Sequence, residues 1–469
     1  MNRRHLAVFL AGLVLLSTTA RAQVGDSQGA QIFTLDQALQ YALDHYPTVR
    51  AALDQVNASA ANVAVAKTAY LPRFDSLWQT NRATANNIFG QLLPQSVIPS
   101  LSGPVLPSAS AESVWGSAAG GLLSWEPFDL GLRSALVREA EAGVVRARAE
   151  EGLTRLAVQN AVGAAFFAVV SAQQAVTAAE GDVQRRDVLA RAAHTLVDNQ
   201  LRPGAEASRA DAELAAARTR VIQSRQSLII SQIALARVLG IAGDPVAVDA
   251  RRLLENPSSA VPPASTPEHP LLRIGQAAVD LARARGAVLA KTDRPRIYLQ
   301  SSIFARGSGA NPDGLFDGGA DGLGLERANW AAGVQVVFPN LFDFASLRAR
   351  RAGADAIVHA ETARYDEAML NVTSQQRTAD ALVDAARAIA QNTPVQLNAA
   401  QQSEAQARAR YQAGLAGITE VAEAQNLLVG AEYQDASARV DVWRALLTQA
   451  VAQGDLASFI ELLRGLGRR

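Results

Sequence analysis

YQAGLAGITEVAEA, residues 411–424, is the stretch whose reading decides the fold. Gly414 and Gly417 break a long helical pattern, and Thr419 with the acidic first-turn residue Glu420 restarts it, which is how a helical hairpin reverses. A second stretch, NQLRPGAEASRADAEL at residues 199–214, reverses another pair of long patterns in the same way. Leu201 answers Leu415 and Glu206 answers Glu420, a spacing of 415 − 201 = 420 − 206 = 214. The constant offset marks the chain as an internal duplication.

Outward from the reversals the arms are long. After Phe128-Asp129 no proline occurs before Pro203, and a helix of that length rises on the order of 100 Å, well beyond a globular domain. Val158, Val162, Ala165, Val169, Ala172, Val176, Ala179 and Val183 advance in alternating steps of four and three. This is a heptad seam of small residues, which lets a partner helix approach closely. The return arm carries its own seam, Leu214, Ala217, Val221, Ser224, Leu228, Ser231, Leu235 and Val238, so the spacing predicts an antiparallel coiled hairpin ending near Gly240. Phe342-Asp343 repeats Phe128-Asp129 at the same offset, which also carries the first seam onto Val372, Gln376, Ala379, Val383, Ala386 and Ala390. Pro394 has no counterpart in the first copy and is expected to kink its arm.

Ahead of each pair of arms stand a shorter helix and two strand candidates. A helical pattern from Thr34 to Lys67 is interrupted at Pro47, and another runs from Pro270 to Lys291. Ala66-Lys67-Thr68 is echoed by Ala290-Lys291-Thr292. FDSLWQTNR (74–82) and the glycine-rich SVWGSAAGGLLSW (113–125) are the strand candidates of the first copy, separated by a proline-bearing loop from about 83 to 111. RIYLQSSIFA (296–305) and the segment holding Trp330, Ala332, Val334, Val336 and Phe338 on one face alternate more cleanly. Prolines 245, 257, 262, 263 and 267 mark a boundary over 241–268, and LASFIELL (456–463) precedes a Gly/Arg tail.

The N-terminus combines Arg3 and Arg4, an apolar run from Leu6 to Leu16 and the small-residue site Ala20-Arg21-Ala22, the parts of a cleavable secretory signal. The plan is therefore a signal peptide at 1–22, a first repeat at 23–240, a linker at 241–268, a second repeat at 269–454 and a C-terminal helix and tail at 455–469. With no cysteine there is no disulfide, no thiolate metal site and no lipid on an N-terminal cysteine. Lys+Arg 44 against Asp+Glu 44 offers no basic field to gather nucleic acid. No later stretch reaches the ~18 unbroken apolar residues of a membrane helix. The chain is thus either soluble outside the cytoplasm or enters a membrane as strands. Four strands cannot close a membrane barrel, since the smallest need ~8, so several chains must pool theirs.

A secreted, duplicated chain of this kind resembles the TolC family of outer-membrane efflux proteins. The resemblance is carried by the opening FTLDQALQYALDHYPTVRAA, the junctions WEPFDLGLR and FPNLFDFASLR and the paired reversals, and it covers the whole mature chain. It implies a mixed α and β membrane protein. Three copies would form a twelve-stranded outer-membrane β-barrel continuing into a long periplasmic α-helical coiled-coil barrel, with an equatorial region built from the shorter helices and the linker. It further implies a passive exit duct in a Gram-negative outer membrane, without catalysis or cofactor, whose partners are a second and third copy, a periplasmic adaptor (membrane fusion protein), an inner-membrane transporter and outer-membrane lipid. Against the family's usual LFDGG junction this chain has Leu130-Gly131 in one copy and Phe344-Ala345 in the other, and Gln200 stands in the first reversal where glycine is common.

By the same resemblance, Glu420 and Glu423 form an acidic ring at the periplasmic entrance, EVAE standing where the family has DVLD. Read without it they are two solvated glutamates in a first turn, where the helix dipole favours them anyway. Leu201, Arg202, Pro203 and Gly204, with Gly414, Leu415, Ala416 and Gly417, form the tip that docks the adaptor or pump, and they are at the same time ordinary turn chemistry. Trp78, Trp115, Trp125 and Trp330 are candidates for interfacial belts or for packing. The loop at 311–322 resembles an acidic calcium loop but lacks its twelfth-position glutamate, and the histidines have no metal-ligand spacing. The alternative function is a secreted coiled-coil scaffold or adhesin without a channel, which fractionation separates from a duct because a scaffold is released without detergent.

Overall fold

The computed structural model describes residues 32–84, 86, 92–99, 105, 111–254, 269–311, 313, 315–316, 319–339 and 342–465. The expected signal peptide, most of the 83–111 loop, the proline-rich part of the linker and residues 466–469 lie outside the described residues.

In chain order the elements are β1 (Ile32–Phe33), α1 (Leu35–His45), α2 (Pro47–Thr68), β2 (Arg73–Thr84), β3 (Ser113–Phe128), α3 (Leu132–Asp198) and α4 (Gly204–Leu239). Then come β4 (Ala247–Val248), a 3-10 turn (Arg251–Leu254), α5 (Pro270–Leu289), β5 (Arg296–Ser308), β6 (Arg327–Val337), α6 (Phe344–Gln412), α7 (Ile418–Gln453) and α8 (Ala457–Gly465). The offset read from the sequence recurs in the backbone. The ends of α3 and α6, the starts of α4 and α7, and the ends of α4 and α7 all stand 214 residues apart. So do the left-handed glycines that cap the last two, Gly240 and Gly454.

Local chemistry sets the boundaries. Tyr46 precedes a proline and is extended, which separates α1 from α2 and lets Pro47 open the second helix. In α1 the residues Leu35, Ala38, Leu39 and Ala42 are buried, one apolar face at helical spacing. The eight seam residues of α3 are buried or half-buried. On α6 the seam continues past the predicted positions through Thr393, Leu397, Ala400, Glu404 and Ala407 to Tyr411. Pro394 does not end α6, which runs on as one helix on both sides of it.

The long helices lie side by side. Towards the reversals α4 packs on α3, α3 on α7 and α7 on α6; towards the strands α2 and α5 flank α3, and α6 closes on α5. The main core forms where α3, α4 and α7 meet α1 and α8. Its bulk is aromatic and aliphatic: Phe166, Phe167, Trp443, Leu446 and Phe459 are fully buried, with Trp443 and Phe459 edge-to-face at 6.4 Å. Beside it β1 pairs in parallel with β4, which ties the start of the first repeat to the linker.

The four longer strands make one antiparallel sheet in the order β2-β3-β5-β6. Its two faces differ. Phe74, Trp78, Leu123, Ile303, Trp330 and Val334 share one face by register and are exposed, Trp330 by 79%. The other face carries Asp75, Gln79, Asn81, Gln300, Arg306 and Gln335. Trp115 and Trp125 stand near opposite ends of β3, whereas Trp78 and Trp330 fall within their strands rather than at the rims.

His269 caps α5, its Nδ1 accepting the Leu271 amide at 3.1 Å, with Pro270 following as first helical residue. Burial pushes its pKa below the ordinary 6.5, the hydrogen bond with Val451 opposing in part. A folded-state pKa that is depressed leaves the stabilisation present above the unfolded value and removes it as pH falls towards the folded one. Thermal melts should therefore lose stability as pH drops below 6.5, and His269→Asn, which caps at any pH, should remove that part of the dependence at a cost of less than about 1 kcal/mol at neutral pH.

The helical reversals as candidate entrance and docking tip

Each reversal is a left-handed C-cap closed by the same three backbone bonds. Asn199, Gln200 and Leu201 donate to the carbonyls of Thr195, Val197 and Leu196, and Ala413, Gly414 and Leu415 donate to Ala409, Tyr411 and Arg410. The longer bond, six residues to one, defines a Schellman motif. Gln200 adopts φ 62° where its equivalent Gly414 has φ 77°. The turn geometry is thus kept without glycine, at the cost that a Cβ meets in the left-handed region.

The predicted tip residues divide into two kinds. Leu201 and Leu415, equivalent in the two copies, are 68% and 72% exposed, and Pro203, Gly204, Gly414 and Gly417 are exposed beside them. Ala416 is buried and Arg202 is turned inward. Arg202 donates to the carbonyl of Ala416 at 3.1 Å and to that of Tyr411 at 3.4 Å, pairs with Glu206 at 3.4 Å and lies over the Tyr411 ring at 5.2 Å. The Tyr411 hydroxyl in turn donates to Glu206 at 3.1 Å. Arg202 is therefore a tie between the first and second reversal rather than a free docking cation.

Burial, reinforced by the hydrogen bond and charge of Glu206, pushes the Tyr411 phenol up to about 12. Its proton stays in place throughout the physiological range. Tyr411 and Glu206 were not singled out as site residues by their sequence neighbourhood. The available signal was departure from the repeat, since Arg202 stands where the second copy has Ala416, and Tyr411 where the first has Val197.

Just above the tie the four arms share a small core that includes Leu189, Ala193, Leu214, Ala407, Ile418 and Val421. Glu420 and Glu423 emerge on the exposed side of α7 just above the second reversal. Glu420 pairs with Arg410 at 3.3 Å, both half-exposed, so the pair contributes only about 0–1 kcal/mol. Glu423 is exposed beside it. Among the described residues no three metal-ligating side chains come together, and in the 311–322 loop the Asn311 amide donates to the Leu315 carbonyl at 3.0 Å in a tight turn.

The model of the outer membrane efflux protein family matches residues 38–241 and 262–454, that is, both repeats up to their last long helices. The chain belongs to the outer membrane efflux protein family. Among curated proteins, this efflux protein is 25% identical over 435 residues to Protein CyaE of Bordetella pertussis, a match spanning 90% of the chain and 84% of the relative. Its fold is that of the Campylobacter jejuni CmeC outer membrane channel, with a TM-score of 0.71 at 15% identity over 99% of this chain and 98% of that one. It is also that of the outer membrane protein VceC from Vibrio cholerae, with a TM-score of 0.68 at 17% identity over 90% and 96%. The family is one of channels, not of enzymes.

Proposed function

We propose that this efflux protein is the exit duct of a tripartite efflux or secretion system. Three copies close their sheets into a twelve-stranded barrel in the outer membrane of a Gram-negative bacterium, and their arms form the periplasmic tube. An inner-membrane transporter loads the tube and a periplasmic adaptor seals against its tip, so that cargo passes without chemistry by this chain. The observation that carries the reading is the sheet: among the described residues its edge strands β2 and β6 each pair on one side only, and one of its faces is exposed and apolar while the other carries Gln79, Asn81, Gln300, Arg306 and Gln335 beside a small buried cluster around Ala118 and Phe304. Open edges demand partners, and lipid outside with water inside is the division a membrane barrel makes. The exposed apolar residues Ile222, Ile229 and Ile233 on α4 and Leu370, Leu382 and Ile389 on α6 supply matching flanks for neighbouring arms.

In this reading the exposed Leu201 and Leu415 meet the adaptor, while Glu420 and Glu423 line the entrance. A ring of carboxylates attracts cations and binds multivalent ones. Purified protein in planar bilayers should show cation-selective conductance that a trivalent cation blocks from the periplasmic side. Glu420→Gln with Glu423→Gln keeps size and helix propensity, and should weaken that block by about tenfold or more, a loss of about 1.4 kcal/mol. Unchanged block and selectivity in the double variant would reduce the two glutamates to a solvated first turn.

A further inference from the structure

The two junctions where the sheet passes into the long arms differ more than a duplication requires. LRSALV (132–137) occupies the first turns of α3, and SLRARR (346–351) occupies those of α6 at the shared offset, 348 − 134 = 214. Arg348, Arg350 and Arg351 thus answer Ser134, Leu136 and Val137, while the buried Arg133 is answered by the buried Leu347. The first junction uses its cations internally. Arg133 lies over the Tyr70 ring at 4.7 Å and donates to the Ala69 carbonyl at 3.2 Å. Lys291 and Arg294 donate to the carbonyls of Gly131 and Leu130 at 3.2 and 3.1 Å.

The second junction leaves its arginines on the surface, where Arg348, Arg350 and Arg351 are all exposed. Arg351 pairs with Asp293 at 3.0 Å, a solvent-screened contact of little strength. Among the described residues Arg348 and Arg350 have neither an ion-pair nor a hydrogen-bond partner. At 3.6 residues per turn Phe344, Arg348, Arg351 and Asp355 share one flank of α6, and Arg350 falls on the opposite one. Phe342 and Phe344 are 87% and 67% exposed and follow Phe338 and the apolar face of β6 along the chain. Exposed phenylalanines in that place fit a membrane boundary, which sets Arg348 and Arg351, within two turns of them, at the level of lipid head groups. On the same flank α5 and α6 leave a groove of about 480 Å³, whose charged or titratable lining is Arg283, Arg351, Asp355 and His359. Arg283 is tied to Asp280 at 3.3 Å.

We propose that this patch binds an anionic phospholipid of the periplasmic leaflet, its phosphate on Arg348 and Arg351 and the rest of its head group in the groove between α5 and α6. The inference rests on the channel reading and adds to it one lipid site per chain, at the second junction only. A guanidinium matches two phosphate oxygens at once, and it binds more strongly where the interface excludes water. A zwitterionic head group carries its own cation beside the phosphate, so two arginines select for net negative charge. Each basic side chain close to an anionic lipid surface strengthens binding about fivefold.

Delipidated full-length protein in mild detergent is titrated with phosphatidylglycerol, and native mass spectrometry counts the lipids bound, with phosphatidylethanolamine as the control lipid. The parent should bind one phosphatidylglycerol per chain about tenfold more tightly than phosphatidylethanolamine. Arg348→Gln should weaken phosphatidylglycerol about fivefold, and Arg348→Gln with Arg351→Gln about tenfold or more. Arg350→Gln, on the other flank, should change it by less than about twofold, and Arg348→Lys should retain most of the binding because it keeps the charge. These are surface substitutions, and melting temperatures equal to the parent's confirm that the variants fold. Equal affinity for the two lipids would overturn the site, as would a loss at Arg350 in place of Arg348. Displacement by an equal concentration of inorganic phosphate would overturn it too, leaving a phosphate position and no lipid site. A parent protein that conducts in planar bilayers without preferring phosphatidylglycerol would overturn the lipid site alone, whereas one that enters no bilayer would overturn the channel reading and the site with it.

Discussion

Arg202→Ala will hold the entrance open: in planar bilayers its resting conductance will exceed that of the parent by about a hundredfold or more, and adding Tyr411→Phe will raise it further. Arg202 makes two charge-assisted bonds to carbonyls of the second hairpin, and each such bond is worth about 1.5–3 kcal/mol. If opening parts the two hairpins, these bonds exist only in the closed state. Their loss then moves the equilibrium by its full amount, about tenfold for every 1.4 kcal/mol. The Tyr411 hydroxyl adds a bond to Glu206 that its raised pKa, about 12, keeps protonated at every physiological pH. Arg202→Lys retains the charge but not the fork that reaches two carbonyls at once, so it should fall between parent and alanine. Cells carrying the alanine variant should admit large antibiotics that the parent excludes. Resting conductance equal to the parent's, in a protein that still folds, would mean that the tie is only turn chemistry.

The second large effect is on stability. Trp443 is fully buried at the meeting point of α3, α7 and α8 and stacks edge-to-face on Phe459. Truncation to alanine should cost about 3–5 kcal/mol, the transfer of the side chain plus the cavity it leaves. Trp443→Phe, which keeps most of the volume, should cost less than half as much. Thermal melts followed by circular dichroism read the difference. A shift for the alanine variant no larger than that of a surface control such as Arg364→Ala would mean that this cluster does not hold the arms to the C-terminal helix.

Much of the architecture was legible because two periodicities are each written twice. The heptad seam of α3 reappears on α6 at a fixed offset, and the Schellman bonds of the two reversals repeat it atom for atom. The strand at 113–125 alternates poorly for a tertiary reason. A Cβ at Gly120 would lie 2.6 Å from the Phe304 Cβ, and one at Gly121 would lie 2.7 Å from the Phe74 ring, so these positions are small because neighbouring strands bring large residues to them. The four tryptophans share a composition signal but not a depth, since register alone decides which stand at a strand end.

The candidate site was legible as a place and less so as a mechanism. Turn chemistry locates Pro203, Gly204, Gly414 and Gly417, but the inward course of Arg202 is set by Tyr411, 209 residues away. Glu420 looked like one of two equal carboxylates until α6 brought Arg410 to it. Pro394 is legible in the sequence as the place where its arm is expected to kink, and α6 runs as one helix on both sides of it, but the adjoining clamp from Thr393 to Asp435 carries no sequence signal.

The most direct measurement is the mass of the protein extracted from the outer membrane in mild detergent, taken by native mass spectrometry. Among the described residues each chain offers a four-stranded sheet with both edges open, and an even-stranded barrel wide enough for a lumen needs more than ~8 strands, so the complex should weigh three mature chains and stay intact until it unfolds. A folded monomer or dimer of stable mass, or a protein released in soluble form without detergent, would contradict the channel.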